Sequence, residues 1–446
     1  MRVVRHTASG WKTSAHWASC ARPGALHSTA FSTGAGTLTS RKRLVLTGVN
    51  IIDGNSPVPI LNGSVVVEDG LIAEVLDSGK SPNFRDARVL ELGGAYLLPG
   101  LWDVHIHPEY PLPPGITLAQ QTANFGAQLS RALTDGGVTS VRCAGAASYM
   151  DVAWRRVFDS GKIVGPRVFA SGYFLTTTGG HFLTSGVARE CDGPYGFVHA
   201  IREGIKSGVD HIKLNMSGGI MGPPWDLHKH SFLLQEELEA AFAICHLREF
   251  NVMAHATNPD TVKAAIRLGA HTIEHGYIQD DECIDLFQSS GVWYVPTLAI
   301  SHLTNEQATC DIEREWLEQR QIAPDLQRRA DAASEEHAKW FKRALDAGVK
   351  MALGSDIHPL SEAALLEMGL WVRDGATEWQ TIQAATKNAA ELCGVGDKLG
   401  TIEAGKLADL IVVTDNPLDD ITNARKLMLV VKDGQIVSDK RGRTAA

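Results

Sequence analysis

Short apolar runs, each closed by a polar or glycine-rich connection, recur through the middle of the chain. Eight of them have the length of a buried strand and end near His107, Cys143, Ser171, Met216, Thr257, Gly276, Ala299 and Asp356. Segments with helical spacing separate most of these runs. After His255, for example, Asn258 and Pro259 supply a cap and first turn, Val262, Ala265 and Ile266 recur at helical spacing, and Gly269 stops the helix. Eight strands alternating with helices predict an α/β fold, a (β/α)8 TIM-like barrel over residues 99–397, whose functional residues gather at the C-terminal strand ends.

A different pattern flanks the barrel region. Residues 44–49, 64–70 and 71–75 are β-rich runs punctuated by Gly and Asp turns, and residues 408–413 and 427–437 repeat the pattern near the other end. Neither group has enough strands for a core alone. Together, residues 44–98 and 398–446 predict a small composite β-sandwich built from both chain ends.

Several strand ends carry chemistry. His105 and His107 are separated by one residue, and alternate residues of a strand share a face, so both imidazoles point one way while Val104 and Ile106 point the other. Two imidazoles on one face suit zinc and its neighbours. Lys213 sits in the apolar run 209–216, where a charge is costly unless it is used. It is a snorkelling stem, an ion-pair partner, or a neutral amine that takes up carbon dioxide and becomes a carbamate bridging two metals. His255, His275 and Asp356 close three further runs. Singly, such residues are more often hydrogen-bonded core histidines or a helix-capping aspartate; coincidence at four strand ends is harder to accept.

The stretch Pro99-Gly100-Leu101-Trp102-Asp103-Val104-His105-Ile106-His107, with Lys213, His255, His275 and Gly354-Ser355-Asp356, resembles the amidohydrolase superfamily of metal-dependent hydrolases. The resemblance covers nearly everything after about residue 44. The segments 212–219, 254–256 and 272–276 look like the branch containing prolidase-type dipeptidases, Xaa-Arg/Lys carboxypeptidases and ochratoxinase-like amidases. It implies two divalent metal ions, Zn2+ foremost, with Lys213 as N6-carboxylysine. His105, His107, the carbamate and Asp356 would hold one ion, and the same carbamate with His255 and His275 the other. A hydroxide between ions roughly 3.5 to 4 Å apart would attack the carbonyl carbon, with Asp356 both a ligand and the catalytic proton carrier.

Other candidates follow neighbouring strands. His181, after Gly179-Gly180, is a second catalytic candidate that polarises the carbonyl or holds substrate, set against a structural loop histidine. His228, Lys229 and His230 form a loop cluster suited to a substrate carboxylate, set against ordinary solvated charges. Tyr277, His302 and His358 fit best behind the ligands, with Tyr277 and His302 as substrate-binding candidates. A long polar segment, 301–330, has Trp316 as its main apolar anchor and reads as a lid.

Composition narrows the function further. At 446 residues, 44% hydrophobic and 21% charged, the chain has an ordinary globular make-up, and no apolar run approaches the roughly 18 residues of a membrane span. Seven widely spaced cysteines include no paired motif, which points to a reducing intracellular compartment. Residues 1–43 contain seven basic and no acidic residues, the composition of a mitochondrial or chloroplast transit peptide, or of a disordered tail or mis-assigned start. Without them, 35 Lys and Arg face 51 Asp and Glu, a net charge of about −16 that disfavours nucleic-acid and anionic-membrane partners. The expectation is a cytoplasmic or mitochondrial enzyme, a homo-oligomer by resemblance, acting on a small molecule. Its leading reaction is hydrolysis of the amide bond in a dipeptide or N-acyl amino acid. The alternatives are a lactone, urea, carbamate or cyclic amide hydrolase and, least favoured, an inactive scaffold.

Overall fold

The computed structural model describes residues 43–442 except 110–114, 221, 303–307, 309, 310 and 320–322, and only the backbone of residues 184, 302, 312 and 319. The basic N-terminal segment before Arg43 and the side chain of His302 lie outside the described residues. The chain is mixed α/β, with one eight-stranded sheet, one six-stranded sheet and one three-stranded sheet.

The eight-stranded sheet draws on both chain ends. Tyr96–Pro99 pairs antiparallel with Leu410–Val413, which pairs with Leu427–Lys432 and then Gln435–Asp439. On its other side, Arg43–Ile51 runs parallel to Tyr96–Pro99 and antiparallel to Ile60–Glu68. Leu44, Leu46, Val65, Val67, Leu410, Val412, Leu429 and Val431 close a separate apolar core, in which residues from the two ends bury one another. Arg167 fastens this unit to the parallel strands: its guanidinium lies 3.3 Å from the buried carboxylate of Asp409 and also pairs with Asp433.

Parallel strands carry the rest. Leu101–Ile106, Val138–Cys143 and Arg167–Phe169 pair in sequence order. His211–Asn215, Asn251–Ala256, Thr272–His275 and Trp293–Val295 do the same, with short strands Phe174–Thr176 and Ala188–Glu190 at one edge. Helices cover the outer faces. In Leu118–Gly136, Phe125, Leu129, Ala132 and Leu133 recur at the 3.6-residue period and enter the main core. Thr117 and Gln120 close a reciprocal capping box at its start. Pro259–Arg267 begins as its sequence predicts, with Asn258 Oδ1 accepting the Thr261 N–H at 3.0 Å. No helix among the described residues is long and apolar enough to cross a membrane.

Two expected strands differ. The run expected to end near Ala299 is a strand only to Val295; Thr297 adopts φ 52°, and a helix starts at Leu298. The segment expected to end at Asp356 makes a single bridge, Met351 to Tyr294, instead of a ladder. Its N–H groups are divided among three neighbours: Ala352 donates to Tyr294 O (3.2 Å), Leu353 to Ala384 O (3.1 Å) and Asp356 to His105 O (2.9 Å). Val104 N–H donates to Leu353 O (3.0 Å), so this segment lies against both Trp293–Val295 and Leu101–Ile106.

Candidate metal centre

Register explains which side chains converge. Directly paired residues of parallel strands share a face, and Asn215 pairs with His255, which pairs with Glu274. Lys213, two residues before Asn215, therefore faces the same side as His255 and Glu274. Ile212, Leu214, Ala254 and Ile273 point oppositely, into the core beneath the helices. Strict alternation would send His275 outward with Ile273. Its left-handed backbone, φ 71°, turns the ring inward instead, to 4.5 Å from the His255 ring and 4.9 Å from that of His105. Asp356 is also left-handed, at φ 57°. Such conformations are unfavourable for side-chain-bearing residues and cluster at functional sites.

Each imidazole has one nitrogen committed to the protein. His105 Nδ1 lies 2.6 Å from Glu274 Oε2, His107 Nδ1 3.0 Å from Gly145 O, and His275 Nδ1 2.7 Å from Thr297 Oγ1. In those three rings Nε2 is left toward the centre. His255 is reversed: Nε2 bonds Gly218 O at 3.0 Å, leaving Nδ1. Outer partners of this kind fix tautomer and orientation in metal-binding histidines. His107 Nε2 and His105 Nε2 lie 3.4 and 3.8 Å from Asp356 Oδ1, and donor atoms of His105, His275 and Asp356 lie within 4.8 Å of one another. His105 Nε2 is sealed from solvent and makes no hydrogen bond among the described residues. A buried lone pair facing a carboxylate without a bond between them fits an intervening cation. The set is thus suited to divalent metal binding.

Lys213 is 2% exposed, and the charges that act on it include Glu274 and Asp356. Burial pulls its pKa down to about 8 against the opposing pull of Glu274 and Asp356. Burial and then the neighbouring Lys213 charge hold His107 down at about 3. His105, His255 and His275 are also held well below the usual imidazole range, chiefly by burial. Neutral imidazoles and a readily deprotonated amine are the donor forms that ligation requires.

A further layer holds these groups. Glu274 takes a 2.8 Å bond from Arg142, which also donates to Val104 O (2.8 Å) and Thr272 Oγ1 (3.1 Å). Asp103 accepts the N–H of His105 (3.2 Å), the N–H of Ser355 (3.0 Å) and the Ser355 hydroxyl, joining the segments that carry His105 and Asp356. Burial raises the Asp103 pKa to about 6.

The remaining candidates divide by position. His181 donates through Nδ1 to the Asp226 carboxylate at 2.9 Å and stacks on His255 with ring centroids 4.2 Å apart. Gly219 lies against this ring, where a Cβ would overlap it. Tyr277 is buried, its ring 5.4 Å from His275. His358, two residues past Asp356, is half-buried, and burial holds its pKa down at about 4. Trp316 donates from Nε1 to His358 O, which docks helix Asp311–Gln319 beside the centre. His228 is half-buried, whereas Lys229 and His230 are exposed. Sequence reading missed Arg142, Glu274, Asp103, Asp226 and Thr297. Arg142 and Glu274 carried the signal that singled out Lys213, a charge inside an apolar run.

Known proteins add the family. The amidohydrolase family pattern matches residues 96–437. The chain is 29% identical over 400 residues to an ochratoxinase of Aspergillus niger, covering 81% of this chain and 79% of that protein. A crystal structure of a Xaa-Pro dipeptidase with bound methionine superposes with a TM-score of 0.77 at 29% identity, over 89% of this chain and 99% of the other. A prolidase complexed with N-methylphosphonate-L-proline gives 0.78 at 26% identity, over 89% and 99%. The chain belongs to the amidohydrolase family, on its prolidase- and ochratoxinase-like branch, and is a hydrolase of carbon–nitrogen bonds.

Proposed function

We propose that this enzyme cleaves the amide bond of a dipeptide or N-acyl amino acid with two divalent ions, zinc foremost, on a closed (β/α)8 barrel. Lys213 carries the reading: a buried amine of lowered basicity among four histidines and Asp356. As a carbamate it would help hold one ion with His105, His107 and Asp356 and the other with His255 and His275. Barrel closure is supported by the bonds that the 350–356 segment makes to Tyr294 on one side and to Val104 and His105 on the other. Bound there, the ions supply an acidified water and a Lewis acid for the carbonyl oxygen.

The chain's own groups do the rest. Asp356, whose side chain is 15% exposed, holds the proton released at the attacking oxygen and passes it to the leaving nitrogen. His181, as an imidazolium whose Nδ1–H is held by Asp226, donates its Nε2–H to the substrate carbonyl. Tyr277 and, by sequence, His302 border the substrate. His228, Lys229 and His230 receive its carboxylate, joined by Arg329, which donates to Gly222 O at 2.8 Å in the same loop. The exposure of Lys229 and His230 favours a second reading, in which the substrate is neutral: a lactone, urea, carbamate or cyclic amide.

Zinc-loaded, bicarbonate-supplemented enzyme tested on N-acyl amino acids, dipeptides and their carboxyl-amidated twins, with a lactone and an aryl urea, separates the two. Cleavage that requires the free carboxylate supports the first; turnover confined to neutral substrates replaces it with the second. Asp356→Asn is expected to lose on the order of 100- to 10,000-fold in kcat. Lys213→Met is expected to retain at most one ion by elemental analysis, and its activity to be indifferent to bicarbonate.

A further inference from the structure

Glu367 is a buried carboxylate that the mechanism just described does not use. It sits on helix Leu360–Arg373, is 0% exposed, and directs its hydrogen bonds elsewhere than to the six converging side chains. Its two oxygens are nonetheless fully engaged. Oε1 accepts the N–H of Leu298 at 2.8 Å and the Trp371 indole N–H at 2.9 Å, and Oε2 accepts the N–H of Ala299 at 2.7 Å. Leu298 and Ala299 follow Thr297, the left-handed residue whose hydroxyl lies 2.7 Å from His275 Nδ1.

We infer that Glu367 is a positioning residue for the metal centre, fixing the Thr297 turn so that the Thr297 hydroxyl holds His275 in the ligating tautomer. The chain of contacts has no slack. Two adjacent N–H groups bound by one carboxylate set the peptide planes after Thr297, and these place Oγ1. An oxygen accepting from Nδ1–H leaves Nε2 deprotonated and directed at the centre. His275 itself is strained at φ 71°, so its ring orientation depends on outside contacts. Tyr294 adds one from the opposite side, donating to His275 O at 2.9 Å. The helix that follows Asp356 thereby braces the ligand on the strand two positions earlier. Thr297 and Glu367 are seventy residues apart in sequence, so no motif reveals the link.

This inference rests on the metal-binding reading of the site, and its test separates the two. Full-length wild type, Glu367→Gln, Thr297→Val, Thr297→Ser and the Glu367→Gln/Thr297→Val double variant are titrated with zinc against a chromophoric chelator, with melting followed in parallel. The expected result is a tenfold or greater weakening of one of two ions in Glu367→Gln and in Thr297→Val, recovery in Thr297→Ser, and no further loss in the double variant. Unchanged affinity in Glu367→Gln, or losses that multiply in the double variant, overturns the Glu367 assignment and leaves the metal site standing. If Glu367→Gln does not fold, equal affinity of Thr297→Val and wild type overturns it alone. A wild type that binds no zinc overturns both readings.

Discussion

Single residues at this centre are held by neighbours that leave no spare volume. Gly354 shows how tightly: a Cβ on it would stand 2.7 Å from His105 Cβ and 2.7 Å from Val295 Cγ1. Gly354→Ala must therefore push His105, a proposed ligand, or the core residue Val295. A cost of about 1–3 kcal/mol, measured by denaturant unfolding of the metal-free protein, is the expected outcome; an unchanged midpoint would show that the backbone yields. The ligand candidates were legible in the sequence because alternation makes His-X-His one-sided and because Lys213 is a charge in an apolar run. Their supports were not. Arg142 and Glu274 meet 132 positions apart, and one strand's alternation reveals a face without revealing which distant strand shares it. The inward turn of His275 was also unreadable, since it comes from a backbone angle that breaks the alternation used to predict it.

At the scale of elements, helix Leu360–Arg373 carries a titration of its own. Burial pushes the Glu367 pKa up to about 8 from a reference of 4.5. Between those values the folded state binds more protons at this site than the unfolded chain, so stability falls as pH rises through the window. The unfolding free energy of metal-free wild type is expected to fall relative to that of Glu367→Gln as pH rises from 4.5 to 8; parallel curves would refute the raised pKa. Helix Pro259–Arg267 was fully signposted by its cap, its Pro and its periodicity, all local properties. The strands near Val295 and Asp356 were not. Their ends depend on hydrogen bonds to Glu367, Ala384 and His105, partners that no local window contains.

Across the whole molecule, acid acts in the opposite direction. His211, His271 and His358 lie outside the proposed ligand set and are pushed down to about 3, 4 and 4, first of all by burial. Their contribution to stability is complete above the unfolded value of 6.5 and disappears as pH falls from there to about 3–4. Metal-free protein should therefore lose stability steeply below pH 6.5, and His211→Asn should flatten that loss in a pH series of chemical unfolding curves; an unaltered slope would mean that His211 is protonated without penalty. The composite sheet was readable as two incomplete sets of β runs, because neither could bury itself. What joins it to the parallel strands, Arg167 with Asp409 and Asp433, was not, since each is an unremarkable charge in sequence.

The sheet's middle strand, Tyr96–Pro99, runs through Gly100 straight into Leu101–Ile106 and is flanked by Leu410–Val413. During synthesis, the strand that leads to His105 and His107 thus waits for more than three hundred further residues before its neighbour leaves the ribosome. Until then the side of Tyr96–Pro99 away from Arg43–Ile51 is a bare edge of the kind that pairs with other nascent chains. A stop codon even shortly before Leu410 would forfeit the support that Leu410–Val413 gives Tyr96–Pro99, along with the last sheet strands.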